Sequence, residues 1–143
     1  NELKEFDEAA TAFAESLVLF RKNLPSNHPE LAMTLNGLGV SLANQRKVVE
    51  AKDAFNEAVK IQHESLPPGH PAMIGTLENC ALAHKQLGEY EAALKMFEEV
   101  DQTLRKHVPA EHPHLKQTSA HIQMAKNGLN GNPAGLDLNP PKN

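Results

Sequence analysis

The sequence predicts an all-α protein: a right-handed superhelix of about six antiparallel helices that form a repeat array. A period of 42 residues carries this prediction, because the His28-Pro29 pair recurs at His70-Pro71 and at His112-Pro113. Within each unit, apolar residues recur at spacings of three and four, as on one face of a helix. Aromatic residues make up only 4% of the chain, so Ala and Leu must fill the core, which suits closely packed helices. Self-similarity at a fixed period indicates stacked helical hairpins.

The first helix is predicted over residues 3–23 and the second over residues 29–44. The first has an apolar face at helical spacing, formed by Leu3, Phe6, Ala9, Phe13, Leu17 and Phe20. Pro25 ends it. Pro29 stands at the first position of the second helix, where proline loses no hydrogen bond, and Asn27 or His28 is placed to cap it. Gly39 marks the point where the paired helix comes too close for a side chain.

The third helix is predicted over residues 47–66, with Ala51, Phe55 and Ala58 on its inner side and Pro67-Pro68-Gly69 at its end. The fourth, over residues 71–86, and the fifth, over residues 89–107, repeat this hairpin around a turn at Gly88. The last helix, over residues 113–127, departs from the pattern. It carries polar residues where earlier units have apolar or small ones, namely Ser119, Gln123 and Lys126. We interpret it as a capping helix, since an array needs a polar face at its end.

These elements divide the chain into an array over residues 1–128 and a tail over residues 129–143. The array comprises a half repeat over 1–27, full repeats over 28–69 and 70–111, and the capping helix over 112–128. The tail is rich in Gly, Asn and Pro, a composition typical of flexible segments. The chain begins without Met in the middle of the pattern, which suggests a fragment of a longer array.

The spacing within a unit is Leu35-x2-Leu38-Gly39-x2-Leu42, followed by Ala51-x3-Phe55 and then Ala58. This spacing resembles the tetratricopeptide repeat. The 42-residue period, the His-Pro opening and the run Thr-Leu-Asn-Gly-Leu-Gly look like the kinesin light chain type of that repeat. The resemblance implies a protein–protein interaction scaffold that binds a peptide or partner helix in a concave groove. It also implies a role such as that of a kinesin light chain-like cargo adaptor.

The family's groove positions carry over to nine residues of this chain. They are Met33, Asn36, Val40, Asn44, Glu78, Leu82, Lys85, Gln86 and Met124. In this reading Asn36 and Asn44 each offer a donor and an acceptor to a peptide backbone. Val40, Leu82 and Met124 would hold an apolar side chain. Lys85 is the one basic residue of the set, so capture of an acidic terminus is not expected.

Composition argues against several classes of function. The net charge of −4, with both signs mixed, disfavours a nucleic-acid or anionic-membrane partner. No apolar run is long enough to span a bilayer. The single cysteine, Cys80, rules out an internal disulfide, fits a reducing compartment and favours a cytoplasmic protein.

No cofactor, metal or enzymatic activity is expected. The eight histidines match no closed zinc site, and three of them are explained as helix-start residues of the repeat. Cys80 falls at a buried repeat position, and His84 at a packing position one turn away, so both are interpreted as core residues. A Cys-His nucleophile remains the enzymatic alternative, which rapid alkylation of native Cys80 would reveal.

Self-association is the alternative to ligand binding. The first helix has no preceding partner in the repeat register, so Phe6, Phe13 and Phe20 would present an apolar face at that end. Exposed apolar patches of this kind usually mark interaction sites. A homodimer through residues 1–24 would follow, and sedimentation over a wide concentration range would detect it.

Overall fold

Residues 1–131 of the chain are described by a computed structural model, and they form six α-helices and no strand. The helices are α1 (Glu2–Asn23), α2 (Pro29–Asn44), α3 (Val48–Ser65), α4 (Ile74–Gln86), α5 (Tyr90–His107) and α6 (Pro113–Leu129). A short 3-10 turn, Pro71–Met73, leads into α4. The predicted tail, from residue 132 onward, lies outside the described residues.

Each helix packs against the helices that precede and follow it in the chain. This alternation places α2, α4 and α6 on one side of the stack, and α1, α3 and α5 on the other. In addition, α2 and α4 touch directly. We call the exposed side of α2, α4 and α6 the concave face.

Three histidines cap the helices that open with proline. The Nδ1 atoms of His28, His70 and His112 accept hydrogen bonds from the backbone N–H two residues on, at 3.1, 3.0 and 3.1 Å. Each bond satisfies one of the N–H groups that a helix start leaves without a partner. The repeated His-Pro pair is therefore a helix-start signal, and the cap of α2 is His28 rather than Asn27.

Glycines let aromatic rings of α1, α3 and α5 approach the neighbouring helices. A Cβ atom at Gly39 would lie 2.5 Å from Phe55 Cε1, and one at Gly37 would lie 2.5 Å from Phe13 Cζ. Near the end of α6, Gly128 meets the ring of Tyr90 in the same way. A close approach at Gly39 was expected from the sequence. The structure has it, and the approaching group is the ring of Phe55.

The core consists of three clusters of buried side chains along the stack. Side chains with no exposure lie in every helix from α3 to α6: Ala51, Ala58, Leu77, Cys80, Ala81, Ala93, Val100 and Ala125. Alanines occupy five of these eight positions, because helices in such close contact leave little room for larger side chains.

Candidate peptide-binding site

A pocket of about 170 Å³ opens between α2 and α4 on the concave face. Its lining comes from three helices and comprises Val40, Ala43, Asn44, Phe55, Asn79, Leu82, Ala83 and Gln86. Four of the nine predicted groove residues are among them: Val40, Asn44, Leu82 and Gln86.

Helical spacing brings these four side chains together. Val40 and Asn44 are four residues apart on α2, and Leu82 and Gln86 are four residues apart on α4, so each pair lies on one helix face. The two pairs occupy equivalent positions in successive units. Because α2 and α4 stack side by side, these equivalent positions of two successive units line one pocket.

The pocket combines an apolar interior with amide groups. Val40, Leu82 and the buried ring of Phe55 supply apolar surface, while Asn44, Asn79 and Gln86 supply amides. Ligand pockets in proteins usually have this composition, in which apolar walls give affinity and a few polar groups fix orientation. An amide can both donate to and accept from a peptide backbone.

The two predicted asparagines differ in their contacts. The Asn36 Oδ1 atom accepts a hydrogen bond of 3.2 Å from Asn79 Nδ2, which joins α2 to α4. Asn44 is exposed, and its Nδ2 atom donates to the Val40 carbonyl of its own helix at 2.9 Å. Asn44 is thus available at the pocket, whereas Asn36 fixes the position of Asn79.

Sequence reasoning missed Asn79, Phe55 and Ala83 as pocket residues. Asn79 stands where the preceding unit has Gly37, and it directly follows the predicted groove residue Glu78. An amide beside a groove position was the available signal. Nothing in the sequence indicates that Phe55, a core residue of α3, also borders the concave face.

Glu78 and Lys85 contact the histidines of α6 rather than each other. His114 Nε2 lies 2.6 Å from Glu78 Oε1, and Lys85 Nζ lies 3.4 Å from His121 Nδ1. The His121 ring also stacks on Phe97, with centroids 4.9 Å apart and planes inclined by 5°. These two predicted groove residues therefore hold α6 against α4.

The two predicted methionines lie outside the pocket. Met33 is 65% exposed on α2 and Met124 is 42% exposed on α6. Neither lines the space between α2 and α4. They are exposed apolar side chains that a long ligand on the concave face could reach.

Burial lowers the pKa of His121, the nearby Lys85 ammonium lowers it further, and Glu78 raises it. The unfolded chain therefore binds more protons than the folded chain between the folded pKa and the ordinary value of 6.5. The free energy of unfolding should fall as pH is lowered through 6.5 and level off below the folded pKa. We expect His121→Phe, which keeps a ring against Phe97, to remove this part of the pH dependence.

Urea unfolding of wild type and His121→Phe at pH 7.5, 6.5 and 5.5 measures this difference. The other seven histidines are common to both proteins and cancel in the comparison. Parallel pH profiles for the two proteins would contradict the prediction.

A second polar cluster, buried at one end and exposed at Glu89, lies where α3 meets α4 and the start of α5. Asn56 Oδ1 is 3.0 Å from His84 Nε2 and accepts a hydrogen bond of 3.1 Å from Cys80 Sγ. His84 Nδ1 lies 3.2 Å from Glu89 Oε2, and Lys52 Nζ donates to Glu89 Oε1 at 3.0 Å. The hydrogen bond with Lys52 lowers the pKa of Glu89, and the same contact raises the pKa of Lys52.

The surroundings of Cys80 are those of a core thiol. The side chain has no exposure, and burial raises the pKa of Cys80 to about 12. Both ring nitrogens of His84 have other partners, Asn56 and Glu89, and within residues 1–131 neither forms a hydrogen bond with the Cys80 sulfur. A reactive thiol needs the opposite features, namely partial exposure and a lowered pKa.

A larger groove, of about 740 Å³, lies between α3 and α5. Val59, Met96 and Tyr90 supply part of its lining, and His63 Nε2 lies 2.8 Å from Glu99 Oε1 along it. None of the nine predicted groove residues borders it.

No three His, Cys, Asp or Glu side chains in residues 1–131 are grouped so as to hold a metal ion. None of the six helices is long and apolar enough to cross a membrane.

Comparison with known proteins identifies the class to which this architecture belongs. Residues 32–100 match the tetratricopeptide repeat family. The matched residues, just under half of the chain, are therefore tetratricopeptide repeats. Arrays of this class are, in general terms, protein-interaction scaffolds. No curated protein matches the sequence at a significant level.

Solved structures share the fold. The nearly identical TPR-like repeats of a protein described as a kinesin light chain from Podosopora anserina match with a TM-score of 0.79 at 23% identity, over 90% of this chain and 61% of that one. A single-residue variant of those repeats gives 0.78 at 22% identity, over 90% and 62%. BtubC (BKLC) from P. vanneervenii gives 0.77 at 15% identity, over 98% and 62%. The predicted all-α superhelical class is confirmed, and the chain spans less than two thirds of each of these proteins.

Proposed function

We propose that this chain binds an extended peptide or a partner helix on its concave face, as part of a protein–protein interaction scaffold. The observation that carries the proposal is the pocket between α2 and α4, where apolar walls and three side-chain amides converge. A peptide laid across α2 and α4 would place one apolar side chain in the pocket. Its backbone would then face Asn44, Asn79 and Gln86.

The likeness to kinesin light chain repeats adds a more specific proposal, that of a cargo adaptor. In such a role the bound peptide would belong to a cargo protein, and the single buried thiol suits the reducing conditions of the cytoplasm. This assignment depends on the fold likeness, whereas peptide binding depends on the pocket itself.

The test begins with peptides selected on the wild-type chain from a library of random displayed peptides. Their dissociation constants are then measured by fluorescence anisotropy for wild type and for the double variant Asn44→Ala with Leu82→Ala. We expect binding to weaken by about tenfold or more, since truncated anchor residues typically cost above 1 kcal/mol each. Far-UV circular dichroism should be unchanged, because neither side chain is fully buried.

The matched control is Val18→Ala with Leu19→Ala, which removes apolar surface from exposed positions of α1. It should bind the selected peptides as wild type does. Selection of no peptide, or equal binding by the pocket variant, would contradict the proposal. Weaker binding by the α1 control would point instead to a ligand on α1.

Self-association through α1 is the second candidate, but not through the phenylalanines expected from the sequence, because Phe13 packs on α2 at Gly37 and Phe20 packs against the core. Leu3, Val18 and Leu19 are 60%, 56% and 59% exposed on this helix, which is a concentration of exposed apolar side chains. Sedimentation velocity over a wide concentration range distinguishes the two candidates. A dimer that disappears in Val18→Ser with Leu19→Ser supports self-association, and a monomer at every concentration opposes it.

A further inference from the structure

We infer that Phe55 sets the size of the ligand side chain that the concave pocket accepts. Gly39 is a positioning residue, because its lack of a side chain leaves room for the Phe55 ring against α2. The accepted group is a branched aliphatic or single-ring aromatic side chain, and an indole is excluded. This inference rests on the proposed function, because it specifies the ligand of the same site.

The volume of the pocket limits how much of an anchor side chain it can enclose. It measures about 170 Å³. An engineered protein cavity of about 150 Å³ holds one benzene molecule. A pocket of this size therefore has room for an isobutyl or a phenyl group and little more. In apolar pockets a single methylene already changes binding several-fold, so such a limit discriminates between side chains.

Phe55 borders the pocket from behind. It belongs to α3, whereas the walls belong to α2 and α4, and only 2% of its surface is exposed. Its ring thus lies beneath the space between Val40 and Leu82. Any displacement of the ring toward α4, or any shortening of the side chain, changes the depth available to a ligand.

Gly39 determines where the ring lies. A Cβ atom at this position would stand 2.5, 2.7 and 2.9 Å from the Cε1, Cδ1 and Cζ atoms of Phe55. Such distances are far below van der Waals contact, so the ring would have to move away from α2. The absence of a side chain at Gly39 keeps the ring against α2 and leaves the pocket open.

The equivalent pair in the next unit is Ala81 and Phe97, whose ring packs against α6 through His121. Phe97 does not line the pocket. The chain therefore offers a matched control, because shortening Phe97 removes the same aromatic group from an equivalent position that is not part of the pocket lining, although the wall residue Leu82 packs against its cluster.

The probes are N-acetyl-leucinamide, N-acetyl-phenylalaninamide and N-acetyl-tryptophanamide, each of which carries one side chain and two backbone-like amides. Chemical-shift titration of the ¹⁵N-labelled chain gives their affinities and their location. For wild type we expect the leucine and phenylalanine probes to shift resonances of α2 and α4, and the tryptophan probe to bind about threefold more weakly or worse.

Phe55→Leu deepens the pocket, so the tryptophan probe should gain about threefold or more relative to the leucine probe, since each newly buried methylene adds roughly 0.8 kcal/mol. Gly39→Ala should weaken the phenylalanine probe more than the leucine probe. Ala43→Val narrows the pocket from a half-buried wall position, so it should act in the same direction as Gly39→Ala while the core stays intact. Phe97→Leu should leave the order of the three probes as in wild type.

The outcomes distinguish failure of the proposed peptide binding from failure of the inferred size limit. If no probe shifts α2 or α4 in wild type, peptide binding at this site is contradicted together with the inference. A second outcome is that the probes bind there with the same ranking of affinities in wild type, Phe55→Leu and Ala43→Val. In that case the proposed function stands and the inference is overturned. An equal change of order in Phe97→Leu would likewise overturn it, because the effect would then come from general loosening of the core.

Discussion

Replacing Phe97 with alanine is expected to lower the free energy of unfolding by about 3–5 kcal/mol, as is typical for a buried aromatic residue. Phe97 is 1% exposed and lies among Ala81 and Ala93, with His121 stacked on its ring. Ala81 and Ala93 are small, so they cannot fill the cavity that the substitution leaves. A loss of this size is a large part of the 5–15 kcal/mol that stabilises a typical domain.

Urea unfolding followed by circular dichroism measures the effect as a lower midpoint. Leu19→Ala serves as the control, because Leu19 is 59% exposed and the same kind of truncation should cost about 0.5 kcal/mol or less there. A cost below about 1 kcal/mol for Phe97→Ala would show that α6 does not pack on this ring.

Asn56→Ala is expected to destabilise the protein by about 1–3 kcal/mol, the usual cost of leaving buried polar groups without a partner. The substitution removes the acceptor that His84 Nε2 and Cys80 Sγ share. Both of those side chains are buried, so water cannot take the place of the lost acceptor without rearrangement.

The matched control for this prediction is Asn44→Ala, whose side chain is exposed and bonds only to its own helix. It should change the free energy of unfolding by no more than about 0.5 kcal/mol. A double-mutant cycle with His84→Ala tests whether the two residues act together, with a coupling of about 0.5–3 kcal/mol expected. Additive effects would mean that the hydrogen bond between them contributes nothing.

This polar cluster explains how successive repeats are held in a fixed relation. Asn56 and Lys52 belong to the unit over residues 28–69, whereas Cys80, His84 and Glu89 belong to the next. Apolar packing alone tolerates small rotations between helices, but hydrogen bonds have narrow distance and angle limits. Because the pocket between α2 and α4 spans the same boundary, we expect the cluster to help preserve its shape.

The sequence alone was sufficient for the repeat and its helices. The 42-residue period, the proline starts and the apolar spacing of α1 to α6 are local signals. The helices begin and end within two residues of the predicted positions, except that α4 begins three residues late, because Pro71–Met73 form a 3-10 turn. Gly39 belongs to the same category, since a glycine inside a helix already indicates a close neighbour. Val40, Asn44, Leu82 and Gln86 followed from the family resemblance combined with the period.

Only the tertiary structure decided which of the polar side chains are already engaged. Asn36 pairs with Asn79, and Glu78 and Lys85 contact His114 and His121, across separations of 36 or 43 residues. The sequence could not indicate these pairs, because a periodic pattern specifies which face a residue occupies and not which side chain lies opposite. For the same reason the place of Phe55 beneath the pocket emerged only once α2, α3 and α4 were stacked: the depth of a pocket depends on distances between helices that no single helix encodes.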